Sequence, residues 1–380
     1  MFPRPNRTVI VKTIQPWSDG GWYQTPKRWG LSDKLQKIID ALGHYDGPLV
    51  RLMEVCGTHT GEIARNGIPS LLSPQIRLIA GPGCPVCVTV SAYIDRLCAL
   101  CREPRTTVLT FGDLMRVPGS RESLAGARAD GGSVEMVYAP ADTLRLAQEA
   151  PEQRFVFAAV GFETTAPVYA ELLEEAVRLD LGNLRLLTSL KTMPQVIRQV
   201  AQMEETQIDG FLAPGHVAVI TGSQPYEALA RELGIPFAIS GFGAASLLMS
   251  IYTLVRLKGQ GICRNLYPEA VTTAGNQRAQ ELVLRFFEPC DAAWRGMGVI
   301  GGSGLRLRDE FRGFDAAGQR DTEQMVEDVT PAGCKCAEVL IGRISPGECP
   351  LFGTVCTPGQ PHGACMVSEE GSCRSAYEYG

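Results

Sequence analysis

Residues 49–60 read Leu-Val-Arg-Leu-Met-Glu-Val-Cys-Gly-Thr-His-Thr, an aliphatic run that breaks at Cys56-Gly57 into a polar turn carrying a thiol and an imidazole. The same grammar recurs along the chain. Ile76–Ala80 runs into Gly81-Pro-Gly-Cys-Pro-Val-Cys87, Phe155–Val160 into Gly161-Phe-Glu-Thr-Thr165, and Ile208–Ala213 into Pro214-Gly-His216. Short β-branched and aliphatic runs followed by longer helical patterns are the signature of βα units stacked into parallel sheets. Four further runs, Thr107–Phe111, Val134–Tyr138, Leu184–Thr188 and Pro236–Ser240, complete two expected sets of four strands, divided near Ala150–Gln153. The intervening helices are expected at Ser32–Leu42, Ser91–Leu100, Ala141–Glu149, Ala166–Leu179, Pro194–Met203, Pro225–Leu233 and Ala244–Leu257, with a last one at Ala274–Phe287.

At roughly 100–200 residues per domain, 380 residues suggest two or three domains. The reading is an α/β fold with a pattern-poor N-terminal arm (1–31), a first α/β domain (32–150), a second (151–290) and a cysteine-rich tail domain (291–380). The tail has too few periodic apolar positions to make a core alone, so a bound cofactor is expected to hold its shape.

Hydrophobic residues make up 45% and charged residues 20%, with a mean hydropathy of zero, as in an ordinary globular protein. The net charge of −5 comes without a basic run, which argues against a nucleic-acid or anionic-membrane partner. No secretion-signal core follows Met1, so a cytoplasmic location is expected. The uncharged stretch from Gly234 to Val255 is long enough to span a bilayer, but Pro236, Gly241 and Gly243 divide it into strand, turn and helix.

Six of thirteen cysteines fall in the last forty-seven residues: Cys334, Cys336, Cys349, Cys356, Cys365 and Cys373. In a reducing compartment such thiols are ligands or redox groups rather than a disulfide framework. The irregular loop spacing from Cys336 through Cys349 and Cys356 to Cys373 suits an iron–sulfur cluster better than paired zinc knuckles, with a four-cysteine zinc site as the alternative. Cys56 and His59, at the start of a helix, suit iron or zinc; the positive helix end should favour thiolate there. Cys84-Pro-Val-Cys87 permits a reversible disulfide, or half of a shortened zinc ribbon with Cys98 and Cys101, which otherwise read as buried helix positions. Glu163 and His216 are candidates for orienting a substrate or moving protons. Gly241-Phe-Gly243-Ala-Ala-Ser246 imitates a dinucleotide turn, but serine replaces its third glycine.

The blocks Glu54-Val-Cys-Gly-Thr-His-Thr60, Gly81-Pro-Gly-Cys-Pro-Val-Cys-Val88, Gly161-Phe-Glu-Thr-Thr-Ala-Pro167, Pro214-Gly-His-Val217, Cys349-Pro-Leu-Phe-Gly353 and Met366-Val-Ser-Glu-Glu-Gly371 occur in this order. Over about Pro48 to Tyr379 the chain resembles the HypD family of hydrogenase maturation factors. The resemblance implies two Rossmann-like parallel-sheet domains plus a small C-terminal domain with a [4Fe-4S] cluster. It also implies a scaffold that, with the small chaperone HypC, builds the Fe(CN)2CO group of [NiFe]-hydrogenase using cyanide from HypE. Carried over by motif, Cys56 binds the transient iron beside His59, Cys84 and Cys87 form the redox pair, and Cys336, Cys349, Cys356 and Cys373 hold the cluster, with Cys334 as the alternative first ligand. The chain departs from the family pattern Gly-Phe-Glu-Pro at Gly241-Phe-Gly243-Ala244, and Val299-Ile-Gly-Gly-Ser303 is looser than usual. The rival expectations are a nicotinamide-dependent oxidoreductase using the Gly241 turn and a zinc-stabilised binding module.

Overall fold

The computed structural model describes residues 33–203, 206–317 and 328–380. The expected N-terminal arm, 1–31, lies outside the described residues. Eleven strands are present among them: β1 (Val50–Glu54), β2 (Ile76–Ala80), β3 (Thr106–Thr110), β4 (Val134–Met136), β5 (Arg154–Gly161), β6 (Leu184–Lys191), β7 (Gly210–Pro214), β8 (Phe237–Ser240), β9 (Cys263–Asn265), β10 (Phe287–Trp294) and β11 (Gly298–Leu307). They form two sheets. One has the order β2-β1-β7-β8-β9 and is parallel throughout; the other has the order β10-β11-β6-β5-β3-β4, with β6, β5, β3 and β4 parallel.

Strands β3, β7 and β8 are buried at every position, as continuous aliphatic runs covered on both faces should be. Helix Ala244–Arg256 buries Leu247, Leu248, Ile251 and Leu254, an i, i+1, i+4, i+7 stripe against the first sheet. The uncharged stretch from Gly234 resolves into β8, a turn and this helix, and no described helix is long and apolar enough to cross a membrane.

Sheet membership corrects the division near Ala150–Gln153. β1 and β2 share a sheet not with β3 and β4 but with β7 to β9, through the pairing of β1 with β7, so the first sheet takes strands from both expected domains. β3 and β4 join β5 and β6 across the expected boundary. Periodicity reveals that a strand exists; which neighbour it pairs with is set by tertiary packing, and the chain leaves the first sheet after β2 and returns at β7. The 291 boundary shifts too. β10 and β11 form an antiparallel hairpin whose second strand pairs with β6, carrying the glycine-rich Gly301-Gly302 segment into the second sheet. The register shift between Cys290 and Ala292 and the interspersed glycines hid this hairpin from pattern reading.

One apolar cluster joins both sheets to the tail: Met53, Phe162, Met193, Phe211 and Trp294 pack in it with Val339, Leu340 and Met366. The tail therefore borrows a core.

The second sheet has its own core, in which Phe157 is fully buried and meets Phe111 and Tyr169 edge-on at centroid distances of 5.3 and 5.7 Å. Phe157→Ala should cost about 3–5 kcal/mol. Chemical denaturation checks this, and a loss below about 1 kcal/mol would contradict a packed core at that position.

Candidate functional site

β1 and β2 lie side by side and parallel, so their C-terminal turns emerge at one sheet edge. β1 delivers Cys56, the residue that precedes helix Gly57–Arg65, and β2 delivers the Gly81–Cys87 turn. The two turns touch backbone to backbone: the Gly57 amide donates to the Gly83 carbonyl at 3.0 Å, and the Gly81 amide to the Glu54 carbonyl at 2.8 Å. A Cβ on Gly83 would stand 2.2 Å from the Cys56 amide nitrogen, so only glycine permits this approach. Cys84 and Cys87 are joined as a disulfide, and both are buried.

Two carboxyl groups frame Cys56. Glu54 accepts from the Cys56 amide at 2.9 Å and from the Thr60 hydroxyl; Glu370, from the tail, accepts from the Thr58 hydroxyl at 2.9 Å. Burial pushes Glu54 up to about 8, against the pull of its bonds to Thr60 and Cys56, and burial also raises Glu370. Burial pushes the Cys56 thiol up to about 12, with Glu54 and Glu370 adding to it, although the amides of His59 and Thr58 pull the other way. This corrects the expectation of a thiolate at a helix start: desolvation outweighs the helix end. Cys56 is therefore held as a thiol in the folded protein.

His59 is completely buried, and among the described residues neither ring nitrogen has a partner within hydrogen-bonding geometry, although the Ser240 and Gly241 backbone lies close enough to act on the ring. Burial, and then the nearby His216, lowers it to about 4, against the pull of the Ser240 and Gly241 backbone, so the ring is neutral. His216 follows β7, and the Phe242 ring lies between the two imidazoles, 5.1 Å from His59 and 3.9 Å from His216 by centroids. The Gly241–Gly243 turn is thus filled by an aromatic side chain that also meets Tyr267 edge-on. That packing differs from the open glycine backbone that cradles a pyrophosphate.

Glu163, on the turn after β5, is buried and accepts from the Met193 amide at 2.8 Å, capping helix Met193–Ala201, while its second oxygen has no partner. Tyr226, whose ring lies 6.4 Å from that of Phe237 in β8, is close enough to feel this carboxyl: burial raises the phenol well above its ordinary range, and the next influences are Glu163 and Cys56. Sequence reading missed Tyr226, which lies in an ordinary amphipathic helix. Cys98 and Cys101 are buried in a separate core cluster, and with Cys84 and Cys87 bonded to each other this leaves no zinc ribbon.

The tail cysteines converge. Cys334, Cys336, Cys349, Cys356, Cys365 and Cys373 line one cavity together with Phe352 and Met366. Cys365, an extra in the sequence reading, is fully buried, with its sulfur 2.9 Å from that of Cys336. Hydrogen bonds to Cys334 and then Cys365 hold Cys336 well below the usual thiol range, while Cys334 and Cys365 are pushed up, both first through Cys336. The three sulfurs thus shift one another's protons through direct contact. Among the described residues no three His, Cys, Asp or Glu side chains close on a point as they would around one ion. The tail sulfurs instead ring a cavity with apolar cover, a donor set that fits an iron–sulfur cluster. The cavity adjoins the disulfide: the Cys87 sulfur lies 4.0 Å from the carbonyl oxygen of Ala364, the neighbour of Cys365.

Burial pushes Glu163 up to about 7, against the Met193 amide, so the folded protein favours its protonated form. Its contribution to stability is complete below the ordinary carboxyl value and is lost as pH rises towards 7. Glu163→Gln should keep the bond from Met193 and flatten the fall in stability across that window; denaturation midpoints measured over the pH range check it, and an unchanged slope contradicts the assignment.

A model of the HypD family, described as "Hydrogenase formation hypA family", matches residues 31–380. The chain is 42% identical over 339 residues to "Hydrogenase maturation factor HypD" of Azotobacter vinelandii, covering 87% of this chain and 89% of that protein. It is 38% identical over 362 residues to the protein of the same name from Rhodobacter capsulatus, covering 92% and 95%. The likeness to the Escherichia coli protein of that name is 40% over 364 residues, covering 94% and 96%. The chain belongs to the HypD family of hydrogenase maturation factors.

Proposed function

We propose that this chain is a scaffold on which the Fe(CN)2CO group of [NiFe]-hydrogenase is assembled in the cytoplasm, together with a HypC-type small chaperone and a HypE-type cyanide donor. One observation carries the reading: Cys56, the Cys84–Cys87 turn and the six tail sulfurs are neighbours in one continuous piece of the molecule. In this reading iron is cargo. It binds at Cys56, whose proton leaves as the metal arrives, and the partner chaperone supplies a second thiolate. Soft, low-spin iron carrying cyanide and carbon monoxide is well matched to thiolate ligation. His59, neutral in the folded protein, faces little proton competition for a place beside the metal.

Cyanide leaves a sulfur-bound precursor only when electrons are supplied: R–S–CN takes up two electrons and gives a thiolate and cyanide. The Cys84–Cys87 dithiol holds two electrons and two protons, and releases both as it closes to the disulfide. A [4Fe-4S] cluster on Cys336, Cys349, Cys356 and Cys373 would restore the pair with single electrons. Glu163 and His216 lie on the turns that follow β5 and β7, and their role in this reading is to orient the incoming groups.

Three variants test the proposal. Anaerobically purified protein should be brown and bleach with dithionite; a colourless protein containing zinc would remove the cluster. Cys56→Ala should keep the colour while the cyanide and carbonyl infrared stretches of the copurified complex vanish, and stretches that persist would place the iron elsewhere. Cys84→Ser should abolish hydrogenase maturation with its iron content intact, whereas Cys356→Ala should lose iron and sulfide from the tail.

A further inference from the structure

Arg295 is one of the largest fully buried side chains, 1% exposed, yet no motif pointed to it. It sits in the tight turn between β10 and β11 and reaches three separate stretches of chain. Its Nε and Nη2 both donate to the Thr89 carbonyl, at 3.0 and 2.6 Å, and its own amide donates to the Val88 carbonyl at 2.9 Å. Those are the first residues after Cys87. On its other side Nη1 pairs with Asp328 at 3.0 Å, where the described tail begins, and Asp328 also accepts from the Ser91 amide at 3.2 Å. The next residue, Gly296, packs against Ala337, the neighbour of Cys336, and the guanidinium charge acts on Cys336.

We propose that Arg295 is a positioning residue that couples the Cys84–Cys87 pair to the tail cavity, clamping the segment after Cys87 with one side of its guanidinium and the tail with the other. The inference deepens the reading in which the two sites exchange electrons, and it rests on that reading. A lysine cannot replace it fully, because three contacts in one plane need the forked guanidinium. A positive charge held on the Thr89 carbonyl, two residues after Cys87, favours the thiolate-bearing reduced form over the neutral disulfide; its ion pair with Asp328 offsets part of that charge, and burial keeps salt from screening the rest. The ion pair and the forked bond therefore hold the geometry between the sites, and the charge left over biases the pair towards reduction.

The test is the dithiol–disulfide equilibrium of full-length protein in dithiothreitol buffers, read by alkylation and mass spectrometry of the peptide carrying Cys84 and Cys87. In that exchange dithiothreitol gives two electrons and two protons, closing its own ring disulfide as the Cys84–Cys87 bond opens. Arg295→Met should shift the equilibrium about tenfold towards the disulfide, equivalent to about 30 mV for a two-electron couple. Arg295→Lys, which keeps the charge and loses the fork, should give a smaller shift in the same direction, and Asp328→Asn, which removes the partner charge, should shift the equilibrium towards the dithiol while lowering the iron and acid-labile sulfide retained per chain. If Arg295→Met does not fold, the Lys and Asn variants decide. A lowered melting temperature with an unmoved equilibrium in the folded variants means that Arg295 is merely structural and overturns the proposal. The dithiol readout does not need a loaded tail, so wild-type protein lacking iron and sulfide would count against the proposed function, whereas loaded wild type with an indifferent Arg295 would count against this inference alone.

Discussion

Gly83 lies directly on the backbone of Cys56, and the candidate site depends on that contact. Because β1 and β2 are adjacent and parallel, their two turns are bound to emerge together; the missing side chain lets them come within backbone hydrogen-bonding distance. The tail completes the arrangement from the other side, with Glu370 against Gly57 and Ala364 against Cys87. Three stretches far apart in sequence thus share one apolar core, and the cysteines of the candidate site are held by packing.

Burial governs the chemistry of the groups gathered there. Cys56, His59, Glu54 and Glu163 each shift towards the neutral form, with desolvation as the leading cause every time. The helix end at Cys56 acts in the expected direction and loses to desolvation. A site kept neutral in this way suits a soft metal whose arrival expels a proton, since binding is then coupled to charge in a pocket that excludes water. The tail differs: its cysteines are close enough to shift one another's protons, Cys336 downwards and Cys365 upwards.

Much of the fold was legible because parallel strands buried on both faces leave continuous aliphatic runs; β2 and helix Ser91–Leu100 fall where the pattern puts them. Pairing was not legible. Nothing in the runs 50–54 and 210–214 says that they lie side by side, and the hairpin β10–β11 was masked by glycines and a bulge. The site residues Cys56, His59, Cys84 and Cys87 stood out as cysteine and histidine in glycine-rich turns after strands. Tyr226 and Arg295 did not, because each lies in a stretch that looks ordinary and gains its meaning from residues distant in sequence. Cys365 was visible but went unchosen, since four ligands suffice and spacing cannot rank six thiols.

The central claim is that the dithiol turn and a tail-bound iron–sulfur group occupy one pocket. The most direct measurement is an anomalous difference map at the iron edge from anaerobically grown crystals. The account predicts a compact multi-iron peak inside the ring of Cys336, Cys349, Cys356 and Cys373, next to the Cys84–Cys87 turn. A single zinc peak there, or iron on a face of the molecule remote from Cys87, would contradict it.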